Sequence, residues 1–255
     1  MKKRFTNPLL PQKKAAVAVS SEAQSVINSL KSNGFTVFEI AKNPKLEPSI
    51  ASHADCNLQK LDESTYFVDK SNYDNLKAFF YACPIVNNLT NCFSLNLELV
   101  EICSPYPYEA GINVKRIEGG IVCNIKCVDN KIKEYAVENG LQLYHCNQGY
   151  VGCSTVLVAP KAIMTDDKSI YDCFNSIGFD CLMLSKGQIK LSGHQYGFIG
   201  GCCGFVDKNL LAFTGRLSSH KDSEKIKNFL SKYNVKALEL TDDALTDIGG
   251  IVPIL

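Results

Sequence analysis

One pattern recurs five times along this 255-residue chain: a short amphipathic helix, a break at Asn, Gly or Tyr, and then an apolar-alternating strand. The strands read NGFTVFEI (33–40), LNLELVEI (95–102), NGLQLYHC (139–146), IGFDCLML (177–184) and YNVKALEL (233–240). Self-similarity at a regular spacing marks a stack or ring of equivalent units, none of which buries its apolar face alone. Equivalent loops of such units meet in one place, so the repeat also says where function should lie.

The helical period places helices at 22–33 (Val26, Ile27 and Leu30 on one face), 72–81, 131–139, 168–177 and 222–232. Ser20–Ser21, Asp166–Asp167 and His220 before Asp222 read as helix starts. Between each post-helix strand and the next helix lies a hairpin, with turns at 62–64, 118–120, 160–161 and 207–209 made of Asp, Gly, Asn, Pro and other turn-forming residues. The unit is therefore strand–strand–helix–strand. The fifth copy is split: the C-terminal DIGGIVPIL (247–255) supplies one strand, and residues 13–40 supply strand, helix and strand. A last strand that completes the first unit predicts a ring, which removes the exposed edges of an open array. The expectation is one α/β domain over 1–255, a five-bladed α/β propeller with units near 53–102, 108–146, 147–184, 194–240, and 247–255 plus 13–40. A plain α/β sandwich is the alternative. The first strand is not followed by the glycine fingerprint of a dinucleotide fold.

Composition narrows the function classes. A formal net charge of +1 gives no support for nucleic-acid or membrane-surface binding, and no apolar run is long enough to span a bilayer. The basic N-terminus is broken by Pro8, Pro11 and Lys13, unlike a secretory signal. Twelve cysteines lie mostly in apolar segments, with no Cys-x-x-Cys spacing. They read as reduced thiols of a cytoplasmic protein, and neither a zinc site nor any other cofactor is expected.

Five ββαβ units in a pseudo-fivefold ring resemble the pentein, or guanidino-group-modifying enzyme, fold. The segments HADCNL (53–58), NQGYVGCS (147–154), YGFIGG (196–201), LAFTG (211–215) and DIGGIVP (247–253) are similar to an uncharacterised bacterial family of that fold. The resemblance implies either a cysteine-dependent deiminase, dihydrolase or amidinotransferase acting on a small cationic guanidino or amidino compound, or a non-catalytic binding module of the same fold.

Residues entering the first hairpin strand of each unit should line the central cavity. That register selects His53, Asp55 and Asn57; Tyr108, Glu109 and Asn113; Gln148, Tyr150, Cys153 and Ser154; His194, Gln195 and Tyr196; and Asp242, Asp243 and Asp247. His53-Ala-Asp55 resembles the His-x-Asp of pentein deiminases, which implies an acid/base His and an Asp that grips a guanidinium through parallel hydrogen bonds. Cys153 follows a Gly-containing loop and leads into a strand, as pentein nucleophiles do. A thiol at a strand mouth beside a His could be held as thiolate. The expected catalytic set is Cys153 with His53 or His194; the expected binding set is Asp55, Asn57, Asn113, Gln148, Tyr150, Tyr196 and Asp247. Cys202–Cys203 read as packing residues, Glu118-Gly119-Gly120 as a far turn, and His220 as a solvated cap. The last unit carries no cysteine, where pentein enzymes place their nucleophile.

Overall fold

The computed structural model describes residues 10–82 and 95–254. The basic stretch 1–9 that entered the reading of the N-terminus lies outside the described residues. Among the described residues the strands form five three-stranded sheets, each with an antiparallel hairpin and a third strand parallel to the hairpin's second strand. The first sheet in chain order is built from β1 (Ala16–Ser20), α1 (Gln24–Ser32) and β2 (Thr36–Ile40). Next come α2 (Ala54–Asn57), β3 (Leu58–Lys60), β4 (Thr65–Asp69), α3 (Tyr73–Ala82) and β5 (Asn96–Val100). The third group is β6 (Lys115–Ile117), β7 (Gly120–Cys123), α4 (Asn130–Glu138) and β8 (Gln142–His145). The fourth is β9 (Thr155–Ala159), β10 (Ala162–Thr165), α5 (Lys168–Ser176) and β11 (Asp180–Met183). Last come β12 (Cys203–Asp207), β13 (Leu210–Phe213), α6 (Ser223–Lys232), β14 (Lys236–Glu239) and β15 (Val252–Pro253).

The split copy assembles as the sequence predicts. β15 pairs antiparallel with β1 (Val17 opposite Pro253, Ala18 opposite Val252), and β1 runs parallel to β2. The recurring break after each helix also has a physical basis. Gly34, Gly140, Gly178 and Asn234 take positive φ of 75°, 61°, 80° and 56°, and the next residue's N–H bonds back to the helix, as in Phe35 to Leu30 and Phe179 to Phe174. This is the Schellman stop, which favours glycine or asparagine because a β-carbon crowds a left-handed backbone.

Burial explains why some strands read as continuous apolar runs and others alternate. The middle strands β1, β4, β7 and β10 are buried along their whole length, whereas the parallel outer strands β8, β11 and β14 are partly exposed. Five apolar clusters lie between neighbouring units. Phe67 and Val100 meet Ile121 and Ile132; Ile117 and Val122 meet Ile163 and Phe174; Met164 meets Phe213 and Ile226. Val206 and Ala212 meet Val17 and Ile27, and Ala16 and Ile40 meet Leu58 and Tyr66. The first hairpin strand of every unit (β3, β6, β9, β12 and β15) contributes to one small cavity of about 90 Å³.

Two helix starts differ from expectation. α1 begins after Ala23, which has no polar side chain to cap it; Ser20 lies upstream of the helix start, where its hydroxyl accepts the Glu22 N–H at 3.3 Å and lies 2.7 Å from that of Ser52. His220 is not a solvated cap: it is 2% exposed, and its Nδ1 accepts the Asp222 backbone N–H at 2.9 Å. Asp167 caps α5 as predicted, accepting from the N–H groups of Ser169 and Ile170.

Candidate functional site

The loops that enter the hairpins, joined by the segments 42–52 and 185–198, enclose a cavity of about 400 Å³. Its deep residues are His53, Cys56, Cys153 and Asp247; its walls include Tyr106, Tyr150, Phe198 and Glu109; its mouth carries Glu47, His194, Gln195 and Tyr196.

Asp247 anchors the floor. Its Oδ2 accepts the Phe198 N–H at 2.8 Å and its Oδ1 accepts the Gly249 N–H at 2.9 Å. A β-carbon on Gly201 would stand 2.0 Å from Asp247 Oδ1, so only glycine lets that backbone approach the carboxylate. The Cys153 thiol faces Asp247 Oδ2 at 3.5 Å, and His53 Nδ1 lies 3.7 Å from Asp247 Oδ1. His53 holds the extended N-cap position of α2, and the next turn carries Asp55 and Cys56. The Asp55 N–H bonds to the Gly249 carbonyl at 3.0 Å, tying this turn to the C-terminal loop. Asp55 lines the small cavity shared by the five hairpin strands rather than the larger one, and Lys115 enters that same cavity.

The electrostatics run opposite to an activated thiolate. Burial pushes the thiols of Cys153 and Cys56 well above their ordinary value, and the carboxylates of Asp247 and Asp55 push them further. The expectation of a resting Cys153 thiolate is thereby corrected: Cys153 is 3% exposed and sits among carboxylates, so the neutral thiol is the stable form. Burial also raises Asp55, reinforced by Asp247 and opposed by His53, and it lowers Lys115.

The structure brings His53, Cys153, Asp247, Tyr150, Tyr196 and His194 to one cavity, but in different roles. His194 stands at the mouth, half exposed, with Nε2 2.8 Å from Ser49 Oγ and 3.2 Å from Glu47 Oε1. Asn57, Asn113 and Gln148 are not among the lining residues. Asn57 donates to the carbonyls of Ala51 and His53. Asn113 bridges two units, donating to the Asp55 carbonyl at 3.1 Å and accepting the Cys153 N–H at 3.0 Å. Gln148 donates to Asp167 and accepts the Tyr150 N–H. These three amides hold the site's backbone. Asp242 pairs with Arg216 at the surface, and Glu118 is exposed in the β6–β7 turn.

Sequence reasoning missed Cys56, Tyr106, Phe198 and Glu47. Cys56 and Phe198 lie beside selected residues, in HADC and YGF. Tyr106 and Glu47 come from loops outside the repeat register. Tyr106, Tyr150 and Phe198 form an aromatic wall with ring centroids 5.8 and 6.2 Å apart. Tyr150 donates its hydroxyl to Glu109 Oε1, and Ser104 donates to Glu109 Oε2 at 2.7 Å.

The model of a family of unknown function, DUF6873, matches residues 18–252. The chain belongs to that family. No curated protein matches the sequence. Among solved structures, this family member is similar to the inosamine-phosphate amidinotransferase of Streptomyces griseus (TM-score 0.59, 11% identity, covering 98% of this chain and 96% of that one). It is also similar to the agmatine deiminase of C. jejuni (TM-score 0.55, 12% identity, covering 93% and 89%). A third likeness is to an amidinotransferase of the saxitoxin biosynthetic pathway from Microseira wollei (TM-score 0.51, 10% identity, covering 95% and 92%). At these identities the likeness establishes the shared pentein fold. Among the described residues no helix is long and apolar enough to cross a membrane.

Proposed function

We propose that the cavity binds a small guanidinium or amidinium cation and that Cys153 attacks its amidino carbon. The observation that carries this reading is the thiol lodged against a buried carboxylate, Cys153 Sγ to Asp247 Oδ2 at 3.5 Å, with His53 on the other carboxylate oxygen. A planar cation seated on Asp247 neutralises the charge that holds the thiol protonated. As the sulfur bonds to the amidino carbon, the thiol proton passes by way of the Asp247 carboxylate to His53, and His53 delivers that proton to the nitrogen whose bond to the carbon breaks. Water, or an acceptor amine, next displaces the sulfur and restores the thiol. Asp55 reinforces the negative floor, and His194 with Glu47 guards the mouth. The finer architecture belongs to the same reading: the five units close as a five-bladed propeller, supported by the β15–β1 pairing and by five clusters that link each unit to the next. A reducing, cytoplasmic setting suits the free thiols among the described cysteines.

The lining narrows the ligand. Carboxylates of Glu47, Glu109 and Asp247 face the cavity, with no Lys or Arg among its described lining residues. The lining therefore offers a ligand carboxylate no permanent cation, only the histidines His53 and His194, each already beside a carboxylate, while the aromatic wall favours a cation. Guanidino compounds without a carboxylate are the class that fits. The test is a panel of such compounds assayed for ammonia or amine release and for a covalent adduct on Cys153. Turnover that persists in Cys153→Ala refutes the nucleophile assignment.

One observation favours a second reading, a non-catalytic binding module. The resting thiol is held neutral, and it hydrogen-bonds a carboxylate rather than an imidazole. In that case the same cations bind in calorimetry but release nothing.

A further inference from the structure

We propose that His53, Asp55 and Cys56 form a zinc(II) site between the floor of the larger cavity, which His53 and Cys56 line, and the small cavity that Asp55 lines. One nitrogen, one oxygen and one sulfur donor from these residues lie within 4.8 Å of one another. All three sit on one turn, with His53 at the extended N-cap and Asp55 and Cys56 in the first turn of α2, so local backbone geometry alone converges them. Tetrahedral zinc with bonds of about 2.0–2.3 Å places its donors roughly 3.3–3.8 Å apart. Closure by about 1 Å through side-chain rotation completes the set. A mixed N, O and S set with a soft thiolate favours zinc over magnesium or calcium, which select oxygen.

A second observation supports a cation bound at Asp55, beyond the charge of Lys115 in the same small cavity. Asp55 Oδ1 is out of water with no hydrogen-bond partner, although Asp55 as a whole keeps partial exposure. A buried carboxylate oxygen in that state calls for a proton or a positive charge. Asp247, 3.7 Å from His53 Nδ1, is placed either as a fourth donor or as the outer carboxylate that orients the imidazole. The small residue that permits the assembly is Gly249 (φ +76°): a β-carbon there would fall 2.3 Å from His53 Cβ. Binding displaces the Cys56 thiol proton to solvent as the zinc–sulfur bond forms, so affinity rises with pH. This site goes beyond the guanidino reading; zinc and an organic cation are alternative occupants of one negative floor.

The test uses the full chain, reduced and stripped of metal, titrated with zinc against a chromophoric chelator and with cobalt(II) as a spectroscopic stand-in. The expected result is one equivalent of zinc, a cobalt–thiolate charge-transfer band, and affinity at least about tenfold weaker in both Cys56→Ser and His53→Ala. Cys173→Ser, in a different unit, should behave as the unaltered chain. Circular dichroism identifies any variant that fails to fold, and for such a variant Asp55→Asn supplies the comparison. No stoichiometric binding, or a cobalt–thiolate band that persists in Cys56→Ser, overturns the site. Guanidino binding measured on metal-free protein keeps the two readings apart. Zinc failing while a guanidino cation binds removes only this site; zinc binding while guanidino compounds do not removes only the preceding reading.

Discussion

Replacing Asp247 by asparagine should activate Cys153 rather than silence it. The carboxylate stands 3.5 Å from the sulfur. At that separation and an effective dielectric near 20, Coulomb's relation opposes the thiolate by about 4–5 kcal/mol. Asp55 remains and the amide keeps a dipole, so part of that opposition survives the substitution. The sign follows from charge: removing a negative neighbour favours the anion, and the alkylation profile moves to lower pH. The larger thiolate fraction is partly offset by its weaker nucleophilicity, leaving roughly a tenfold faster reaction near neutrality. The assay is iodoacetamide labelling from pH 6 to 9, quantified by mass spectrometry on the peptide carrying Cys153. Thermal melting checks that the loop held by the Phe198 and Gly249 N–H groups is retained. An unchanged profile, or one displaced to higher pH, refutes the electrostatic account of this site.

Three further outcomes are open to measurement. Burial raises Asp166 from its ordinary 3.8 to about 6, with Oδ1 unpartnered; the folded state binds the proton more tightly, so stability falls as pH rises from about 4 to 6. Linkage sets that loss at up to about 3 kcal/mol, and urea titrations at several pH values should show it in the unaltered chain but not in Asp166→Asn. Tyr150→Phe leaves Glu109 Oε1 without the hydroxyl it accepts and should cost about 1–3 kcal/mol in urea unfolding, while the stacking against Phe198 survives. Gly201→Ala forces a β-carbon onto Asp247; destabilisation of about 1–3 kcal/mol is expected, with loss of cation binding by calorimetry beyond that seen for an alanine at the open turn position Gly119.

Much of the candidate site was legible because it follows the repeat. His53, Cys153 and Asp247 occupy equivalent hairpin entrances in three units, so registering the copies selects them without knowledge of contacts. The same register also selected Asn57, Asn113 and Gln148, which point into loop backbone instead. Sequence spacing gives a residue's place along a strand mouth, whereas a side chain's direction depends on which neighbouring carbonyls lie unpaired. Tyr106 and Glu47 escaped because their loops obey no period.

The sequence by itself determined the five ββαβ copies, their split fifth member and the turn at Glu118, because helical period, turn chemistry and left-handed helix stops are local properties. Only the tertiary structure decided the chemistry of the floor. Cys153 looks like a thiolate when read beside a histidine. Burial, and then the charge of Asp247 brought from 94 positions away, hold it as a thiol, which is the basis for proposing that the site answers to a cation. A pKa is set by burial and by charges in space, and neither is written in the order of the residues.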